Sequence, residues 1–402
     1  MEYRLDCQYF LGDKPCKFLE RCTCQHFSPR GPRILIIKLG ALGDVLRTTP
    51  LLPALRTAHP TAQISWVTHP SAMELLDKNP MIDRLLPMDF HTCAFLGAEE
   101  FDLVLSLDKD PAGAALASAL KAKTKNGFGW SAQGAVYPLD EKSHYAYFLG
   151  IDNELKFKTN QKTYQQIIFE MCDLPYANEE YQWELAEADA QTAKLWAKGS
   201  GFDRRRPTVG LNTGWGEMFA GKGWKEEKWE NLIYALQGFD VNVVLLGGTR
   251  ETDLNTRLFL RNRGRGSLHN SGNNNTLGQF SALVDFCDLV VTGDTFGMHV
   301  AIARKKKVVA LFGSTCPQEI ELYGRGVKLF TTELPCEPCY KKECDHSIHE
   351  ECLKRITVEQ VMAAIQGLLP LTAIVRKEQP PAQRQQQREE RPERQEHQFR
   401  RP

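Results

Sequence analysis

The sequence lacks several features that would assign it to a particular class of protein. Its 50 basic residues equal its 50 acidic residues, so it has no basic surplus of the kind that nucleic-acid-binding proteins show. No apolar run approaches the roughly 18 residues of a membrane-spanning helix, and the start, MEYRLDCQYF, does not resemble a signal peptide. We therefore expect a cytoplasmic protein that binds no nucleic acid and at most lies on a membrane surface.

The two commonest nucleotide-binding motifs of α/β proteins are also missing. The stretch from Gly40 to Asp44 follows the first predicted strand but does not read G-x-G-x-x-G, and no G-x-x-x-x-G-K-[ST] follows a strand. An ordinary dinucleotide-binding site or P-loop is thereby excluded. Any ligand would be held by other loops at the carboxyl ends of the strands, where open α/β sheets bind ligands.

Strand and helix patterns alternate through most of the chain. The first predicted strand, RILIIKLG, is a continuous apolar run, which is typical of a strand buried on both faces of a parallel sheet. Segments between the strands have helical periodicity, among them the Ala-rich stretch 112–124. This alternation predicts an α/β protein with two Rossmann-like domains. The predicted strands cover 33–40, 63–70, 82–89, 101–108, 208–214, 241–248, 288–294 and 307–315.

The patterns divide the chain into five parts. We expect a Cys-rich extension over 1–30, one Rossmann-like domain over 31–190, a second over 206–355, and a last helix over 356–370. The remaining stretch, 376–402, consists mainly of Arg, Glu, Gln and Pro. Such a composition cannot bury a core, so this tail is predicted to be disordered.

Most of the 12 cysteines lie in two clusters. Without a secretion signal, clustering indicates metal binding more than disulfides, and four thiolates suit a tetrahedral zinc ion. Iron and free thiols are the alternatives. Neither cluster is expected at a strand end facing the ligand crevice, so we expect them to stabilise the protein or to dock a partner. The clusters consist of Cys7, Cys16, Cys22 and Cys24, and of Cys336, Cys339, Cys344 and Cys352.

Asp44 stands just after the first predicted strand, at the start of the next helix. A carboxylate at that place faces the ligand crevice and can accept a proton from a hydroxyl group. The alternative is structural, because an aspartate in the first turn of a helix caps it or interacts favourably with its dipole.

The segment Asp294-Thr295-Phe296-Gly297-Met298-His299 leads from a predicted strand into a helix. The N–H groups of a helix N-terminus favour an anion, and Thr295 and His299 can add a hydroxyl and a ring N–H. Together these groups suit a pyrophosphate. The alternative for His299 is a half-buried ring that serves only packing beside a turn.

Two charged side chains on loops of the second half are further candidates. Lys222 precedes a predicted helix and would reach the crevice from the side opposite the pyrophosphate, unless it is an ordinary solvated lysine. Glu251 follows Gly247-Gly248 and is placed to bind ribose hydroxyls, unless it serves the N-terminus of its own helix.

Together these residues resemble a known family. IKLGALGDVL (37–46) with Thr49-Pro50 resembles the opening signature of the ADP-heptose:lipopolysaccharide heptosyltransferases, which form family nine of the glycosyltransferases. The other motifs occur in the order and spacing of that family, and the resemblance covers about 33–370. In one departure, Phe296 follows Thr295 and the family's glycine is displaced to position 297. The other motifs are Lys222-Gly223-Trp224, Gly247-Gly248 with Glu251, the 294–299 segment, and Leu311-Phe312-Gly313-Ser314-Thr315.

The resemblance implies a GT-B fold, in which an N-terminal acceptor domain and a C-terminal nucleotide-sugar domain face each other across a crevice. It implies an inverting transfer that needs no metal ion or other cofactor, with Asp44 as the base that deprotonates the acceptor. The residues that match donor-binding positions are Gly43, Lys222, Glu251, Asp294, Thr295, Gly297 and His299.

Three functions follow as hypotheses. The first is the transfer of heptose from ADP-heptose to a lipopolysaccharide core or a related surface glycan, at the cytoplasmic face of the inner membrane. The second has a protein acceptor, as in heptosyltransferases that modify autotransporters. The third is a binding protein that kept the fold and docks a partner through its cysteines; intact Asp44, Lys222 and His299 argue against it.

Overall fold

A computed structural model of the chain describes residues 4–16, 18, 20–23, 25–216, 223–264 and 266–374. The predicted α/β class is confirmed, since the described chain builds two six-stranded sheets. Three of the sequence predictions concern residues outside these ranges. They are the disorder of the tail 376–402, the metal ligand Cys24 and the donor-binding Lys222.

The N-terminal sheet has the strand order β3-β2-β1-β4-β5-β6. All neighbouring strands are parallel except β6, which pairs antiparallel with β5. The strands are β1 (Arg33–Ile37), β2 (Gln63–Thr68), β3 (Arg84–Pro87), β4 (Glu100–Ser106), β5 (Lys121–Trp130) and β6 (Val136–Pro138). The helices of this half are α1 (Leu42–Thr48), α2 (Leu51–Ala58), α3 (Phe90–Ala98), α4 (Pro111–Ala119), α5 (His144–Phe148) and α6 (Tyr164–Met171).

The C-terminal sheet is wholly parallel, with the order β12-β11-β10-β7-β8-β9. Its strands are β7 (Thr208–Asn212), β8 (Asn242–Leu246), β9 (Ser267–Asn270), β10 (Leu289–Gly293), β11 (Lys307–Leu311) and β12 (Gly326–Leu329). The helices are α7 (Glu187–Gly199), α8 (Glu226–Leu236), α9 (Thr252–Asn262), α10 (Leu277–Val284), α11 (Phe296–Ala303), α12 (Glu351–Arg355) and α13 (Val358–Leu368).

Both sheets reverse their strand order at the middle, between β1 and β4 and between β7 and β10. At such a switch point the connections leave on opposite faces, and the crevice between them is where doubly wound sheets bind ligands. The candidate residues follow these strands in the chain: Asp44 comes after β1, and the segment from Asp294 to His299 comes after β10. The topology therefore places these residues at the carboxyl ends of the central strands, where sheets of this kind bind ligands.

The prediction of a helix over 112–124 was wrong in its second half. Helix α4 ends at Ala119, and Lys121 begins β5, which pairs in parallel with β4. Ala and Lys favour helices, but pairing with a neighbouring strand overrides so weak a preference. Leu120 joins the two elements in an extended conformation and is buried, which fixes the change of direction.

The two domains pack against each other through helices, among them α1 against α11. One continuous cluster of buried apolar side chains includes Ile36 of β1 and Val290 of β10. Helix α7, which lies in the connection between the halves, packs against α10. The boundaries 31–190 and 206–355 remain a proposal, because α7 spans the end of the first range.

Gly43 is a point of close approach between the halves. It lies in the first turn of α1, which packs against α11. A Cβ atom at Gly43 would come within 3.0 Å of Nε2 of His299 and closer still to its Cδ2. Only glycine therefore lets the His299 ring lie against the main chain of α1.

Substituting Gly43 by alanine should move the two domains apart or displace the His299 ring. Overpacking of this kind costs about 1–3 kcal/mol, so the melting temperature and the turnover should both fall. The matched control is Gly199→Ala at the end of α7, where a Cβ would meet no atom within 4 Å. Wild-type melting and turnover in Gly43→Ala would show that the close approach is unimportant.

Candidate active site between the two domains

Asp44 lies in the first turn of α1 with its side chain 35% exposed. One carboxylate oxygen, Oδ2, accepts a hydrogen bond from the Ala41 N–H at 3.3 Å. The other, Oδ1, is 2.9 Å from Nη2 of Arg47. The capping alternative is therefore also true, but capping uses one oxygen, and the side chain remains accessible to a ligand.

The surroundings of Asp44 keep it ionised. Burial opposes ionisation, but Arg47, Lys38 and His299 together outweigh it and hold the pKa of Asp44 below its usual value. At neutral pH the group is a carboxylate, which can accept a proton but has none to donate. This charge state suits a general base and excludes Asp44 as a general acid.

His299 lies on α11, across the crevice from the start of α1. It is 6% exposed, and its Nδ1 is 3.2 Å from the hydroxyl of Tyr181, which is also buried. The edge of the ring with Cδ2 and Nε2 lies against Gly43. The structure thus brings Asp44, Gly43 and His299 together, although they come from different domains.

The N-terminus of α11 is held close to the end of β7. The side-chain N–H₂ group of Asn212 donates to the hydroxyls of Thr292 at 2.9 Å and Thr295 at 3.0 Å. Gly297 permits this, because a Cβ there would lie 2.5 Å from Nδ2 of Asn212. The start of α11, next to His299, is therefore a rigid turn whose dipole favours an anion.

Glu251 connects the loops that follow β7 and β8. Its Oε2 accepts a hydrogen bond from the Gly248 N–H at 2.7 Å, so the helix-terminus alternative is also correct for this residue. The same carboxylate lies against Gly214, where a Cβ would come within 2.8 Å of Cδ of Glu251. Both loops thus meet at a carboxylate at the carboxyl edge of the sheet.

Comparison with known proteins identifies the family. Residues 93–349 match the profile of glycosyltransferase family 9 (heptosyltransferase), which is more than half of the chain. The chain belongs to this family. The matched range contains Glu251, the segment 294–299 and three cysteines of the second cluster, whereas Asp44 precedes it and Cys352 follows it.

Individual relatives agree with this assignment. Lipooligosaccharide heptosyltransferase 2 of Campylobacter jejuni is 33% identical over 102 residues, which are 25% of this chain and 32% of that protein. The chain thus spans about a third of the length of that relative. Lipopolysaccharide heptosyltransferase 1 of Pseudomonas aeruginosa is 24% identical over 373 residues, or 84% of this chain and 98% of that protein.

The fold is also that of a solved family member. The structure of Escherichia coli ADP-heptose lipopolysaccharide heptosyltransferase II superposes with a TM-score of 0.60 at 20% identity, covering 84% of this chain and 98% of that one. The GT-B fold that the resemblance implied is thereby confirmed.

The loop of the second cysteine cluster contacts both domains of this family 9 protein. Its loop is fixed to the end of β11, because the N–H groups of Cys339 and Tyr340 both donate to the Ser314 carbonyl, at 3.0 and 2.9 Å. The Tyr340 ring stacks on Phe157 of the N-terminal domain, with ring centroids 5.4 Å apart. Ser314 lies three residues after the end of β11, so this loop is held near a strand end. That neither cluster sits at a strand end facing the crevice stays a prediction.

The cysteines converge on two small cavities. Cys336, Cys339, Cys344 and Cys352 line one of about 30 Å³, and Cys7, Cys16 and Cys22 line another of about 10 Å³. All seven are free thiols. Within the described ranges, however, no three His, Cys, Asp or Glu side chains are already arranged to hold a metal ion. A metal at either place is therefore a proposal.

Two cations beside Asp44 were not predicted from the sequence. Lys38 is 5% exposed and its Nζ lies 3.5 Å from Oδ2 of Asp108, while Arg47 pairs with Asp44. Both stand in or next to the IKLGALGDVL motif, so the sequence contained them, but only Asp44 was singled out there.

Among the described helices, none has the length and apolar character needed to cross a membrane.

Proposed function

We propose that this protein is an inverting heptosyltransferase that transfers heptose from ADP-heptose to a lipopolysaccharide core or a related surface glycan. Membership of glycosyltransferase family 9 supports the class of reaction. The observation that carries the mechanism is the ionised carboxylate of Asp44 beside His299 at the start of α11. The donor is the one named for the Escherichia coli relative.

The reaction needs a base on one side of the sugar and a leaving group on the other. Asp44 takes the proton of the acceptor hydroxyl as its oxygen attacks the anomeric carbon. The bond from that carbon to the diphosphate breaks, and ADP leaves with the electron pair. Attack from the face opposite to the diphosphate inverts the configuration.

Negative charge develops on the diphosphate as the bond breaks. The start of α11, with Asp294, Thr295, Gly297 and His299, offers N–H, hydroxyl and ring donors there, and Lys222 adds a positive charge. Such preorganised groups stabilise a transition state without reorganising. We propose that they supply the positive potential directly, so that the transfer is independent of metal ions.

The remaining residues place the donor. Glu251 binds the ribose hydroxyls, since its carboxylate lies where the loops after β7 and β8 meet. Gly43 allows the acceptor domain to approach the diphosphate closely. The acceptor binds on the side of Asp44, and with a lipid-linked glycan as acceptor the enzyme would work at the cytoplasmic face of the inner membrane.

A structural zinc or iron ion is proposed for each cysteine cluster. Thiolates are the ligands that these metals prefer, and the cavities are lined by three or four of them. At the second cluster, Cys336, Cys339, Cys344 and Cys352 would hold the loop against Ser314. At the first, Cys7, Cys16, Cys22 and Cys24 would hold the extension.

Asp44→Asn should keep the fold and the affinity for the donor while removing most of the turnover. The change is isosteric, but an amide cannot accept the proton, and a general base is worth about 10²–10⁴-fold. Steady-state release of ADP measures it. The control is Asp83→Asn, which changes a carboxylate that pairs with Arg56 outside the crevice. Turnover above about a third of wild type in Asp44→Asn would refute the base assignment.

Lys222→Ala and His299→Ala should each weaken the binding of ADP. Each removes a hydrogen bond or ion pair to phosphate that is worth about 1–3 kcal/mol. Calorimetric titration with ADP measures the change, and Lys225→Ala, whose side chain pairs with Glu350, is the control. Unchanged affinity in both variants would move the nucleotide site elsewhere.

The double variant Cys339→Ser/Cys344→Ser should lose about one equivalent of zinc or iron per chain and melt at a lower temperature. Metal binding stabilises only the folded form, so its loss lowers stability. Elemental analysis gives the metal content, with the isolated Cys93→Ser as control. To separate the two clusters, the same pair is compared in a chain without residues 1–30. No metal in that shortened chain, purified reduced and without chelator, would rule out the second site.

A further inference from the structure

Arg47 lies one turn after Asp44 on the same helix, with Nη2 2.9 Å from Oδ1 of Asp44. An ion pair at this spacing contributes little when it is exposed, because water screens the charges and long side chains move. The side chain of Arg47, however, is only 15% exposed. The pair therefore lies under cover rather than on an open helix surface.

Helix α6 fixes the position of the guanidinium group. The Cζ atom of Arg47 lies 3.9 Å from the centroid of the ring of Tyr164, the first residue of α6, which is the distance of a cation–π stack. The Tyr164 hydroxyl is 2.8 Å from Oγ1 of Thr48. The Thr48 hydroxyl in turn donates a hydrogen bond to the main-chain oxygen of Asp44 at 2.7 Å. The contacts thus form a closed circuit from Asp44 through Arg47, Tyr164 and Thr48 back to Asp44.

Two other cations also lower the pKa of Asp44, but they approach it from other elements than α1. Lys38 at the end of β1 is paired with Asp108, and His299 faces Asp44 from α11. The hydroxyls of Tyr164 and Tyr181 are uncharged, since burial raises the pKa of each. Burial lowers the pKa of Arg47, but Asp44 and, less strongly, Glu319 of the other domain outweigh it and raise that pKa.

We propose that Arg47 is the positioning residue of the base, whose stacked guanidinium orients Oδ1 of Asp44 towards the acceptor hydroxyl. In a second role, its charge helps to hold the pKa of Asp44 below the usual value. The proposal rests on the function proposed above. The two roles have opposite effects on rate. Removing a neighbouring cation makes a carboxylate a stronger base, which favours proton transfer, but loss of aim separates the reacting atoms. The contacts through Tyr164 fix the guanidinium, so we expect the effect of Arg47 on the orientation of Asp44 to outweigh its effect on the basicity of Asp44.

Two variants separate the roles. Arg47→Met keeps the length and the apolar contact with Tyr164 but removes the charge, whereas Arg47→Lys keeps a charge and loses the planar stack. In Arg47→Met we expect kcat to fall roughly 10- to 100-fold with the KM for ADP-heptose within about twofold of wild type. The acid limb of the kcat/KM profile should move to higher pH, because the adjacent arginine lowers the pKa of Asp44.

Arg47→Lys should keep the acid limb near its wild-type position with an intermediate kcat. The control is Arg56→Met on α2, which breaks the pair with Asp83 and should lower the melting temperature without moving the pH profile. An acid limb that stays in place in Arg47→Met would overturn the proposal, whatever the value of kcat. A kcat that rises would overturn it as well, since basicity would then outweigh aim.

Asp44→Asn in the same assay separates this inference from the proposed function. If Asp44→Asn retains turnover, the base assignment fails and the role of Arg47 fails with it. If Asp44→Asn is inactive while Arg47→Met behaves as wild type, only the inference about Arg47 is wrong.

Discussion

The contact between Gly43 and His299 is the constraint on which the rest of the site depends. Because Gly43 has no side chain, the imidazole of the second domain can lie against the main chain of α1. This contact lets α1 and α11 approach closely at the crevice where we propose that donor and acceptor bind. A larger residue at position 43 would separate the proposed base from the groups proposed to hold the diphosphate.

Charge around Asp44 decides what kind of base it can be. Arg47, Lys38 and His299 lower its pKa, so the carboxylate is always ready to accept a proton but has little intrinsic basicity. A weak base contributes through its position more than through its proton affinity, because a well-oriented group reacts as if it were present at a very high concentration. This is why the stacked guanidinium of Arg47 matters more to the mechanism than an ion pair of its spacing would suggest.

The sequence was sufficient to predict the fold class and most of the strands. Continuous apolar runs such as RILIIKLG identify strands buried on both faces, and β1 begins at Arg33 as predicted. The strand β5 was missed because its first residues, Lys-Ala-Lys-Thr, favour a helix in isolation. Only pairing with β4 makes them a strand, and pairing between elements is not written in local preference.

The candidate site was predicted less completely than the fold. Single residues could be assigned to strand ends, and the order of their motifs, which is that of the family, indicated that they belong to one site. The meeting of Gly43 with His299 could not be predicted, because it depends on how two separate sheets pack. The same holds for the loop of Cys339 and Tyr340, whose place at the end of β11 comes from two backbone hydrogen bonds to Ser314.

The most direct test of the account is a crystal structure of the full chain with ADP bound. We predict that the diphosphate lies at the start of α11, within hydrogen-bonding distance of Thr295 and His299. Its terminal phosphate should point towards the carboxylate of Asp44, with room between them for a sugar. A diphosphate bound at another strand end, or one facing away from Asp44, would contradict the central claim that these two domains form one transfer site.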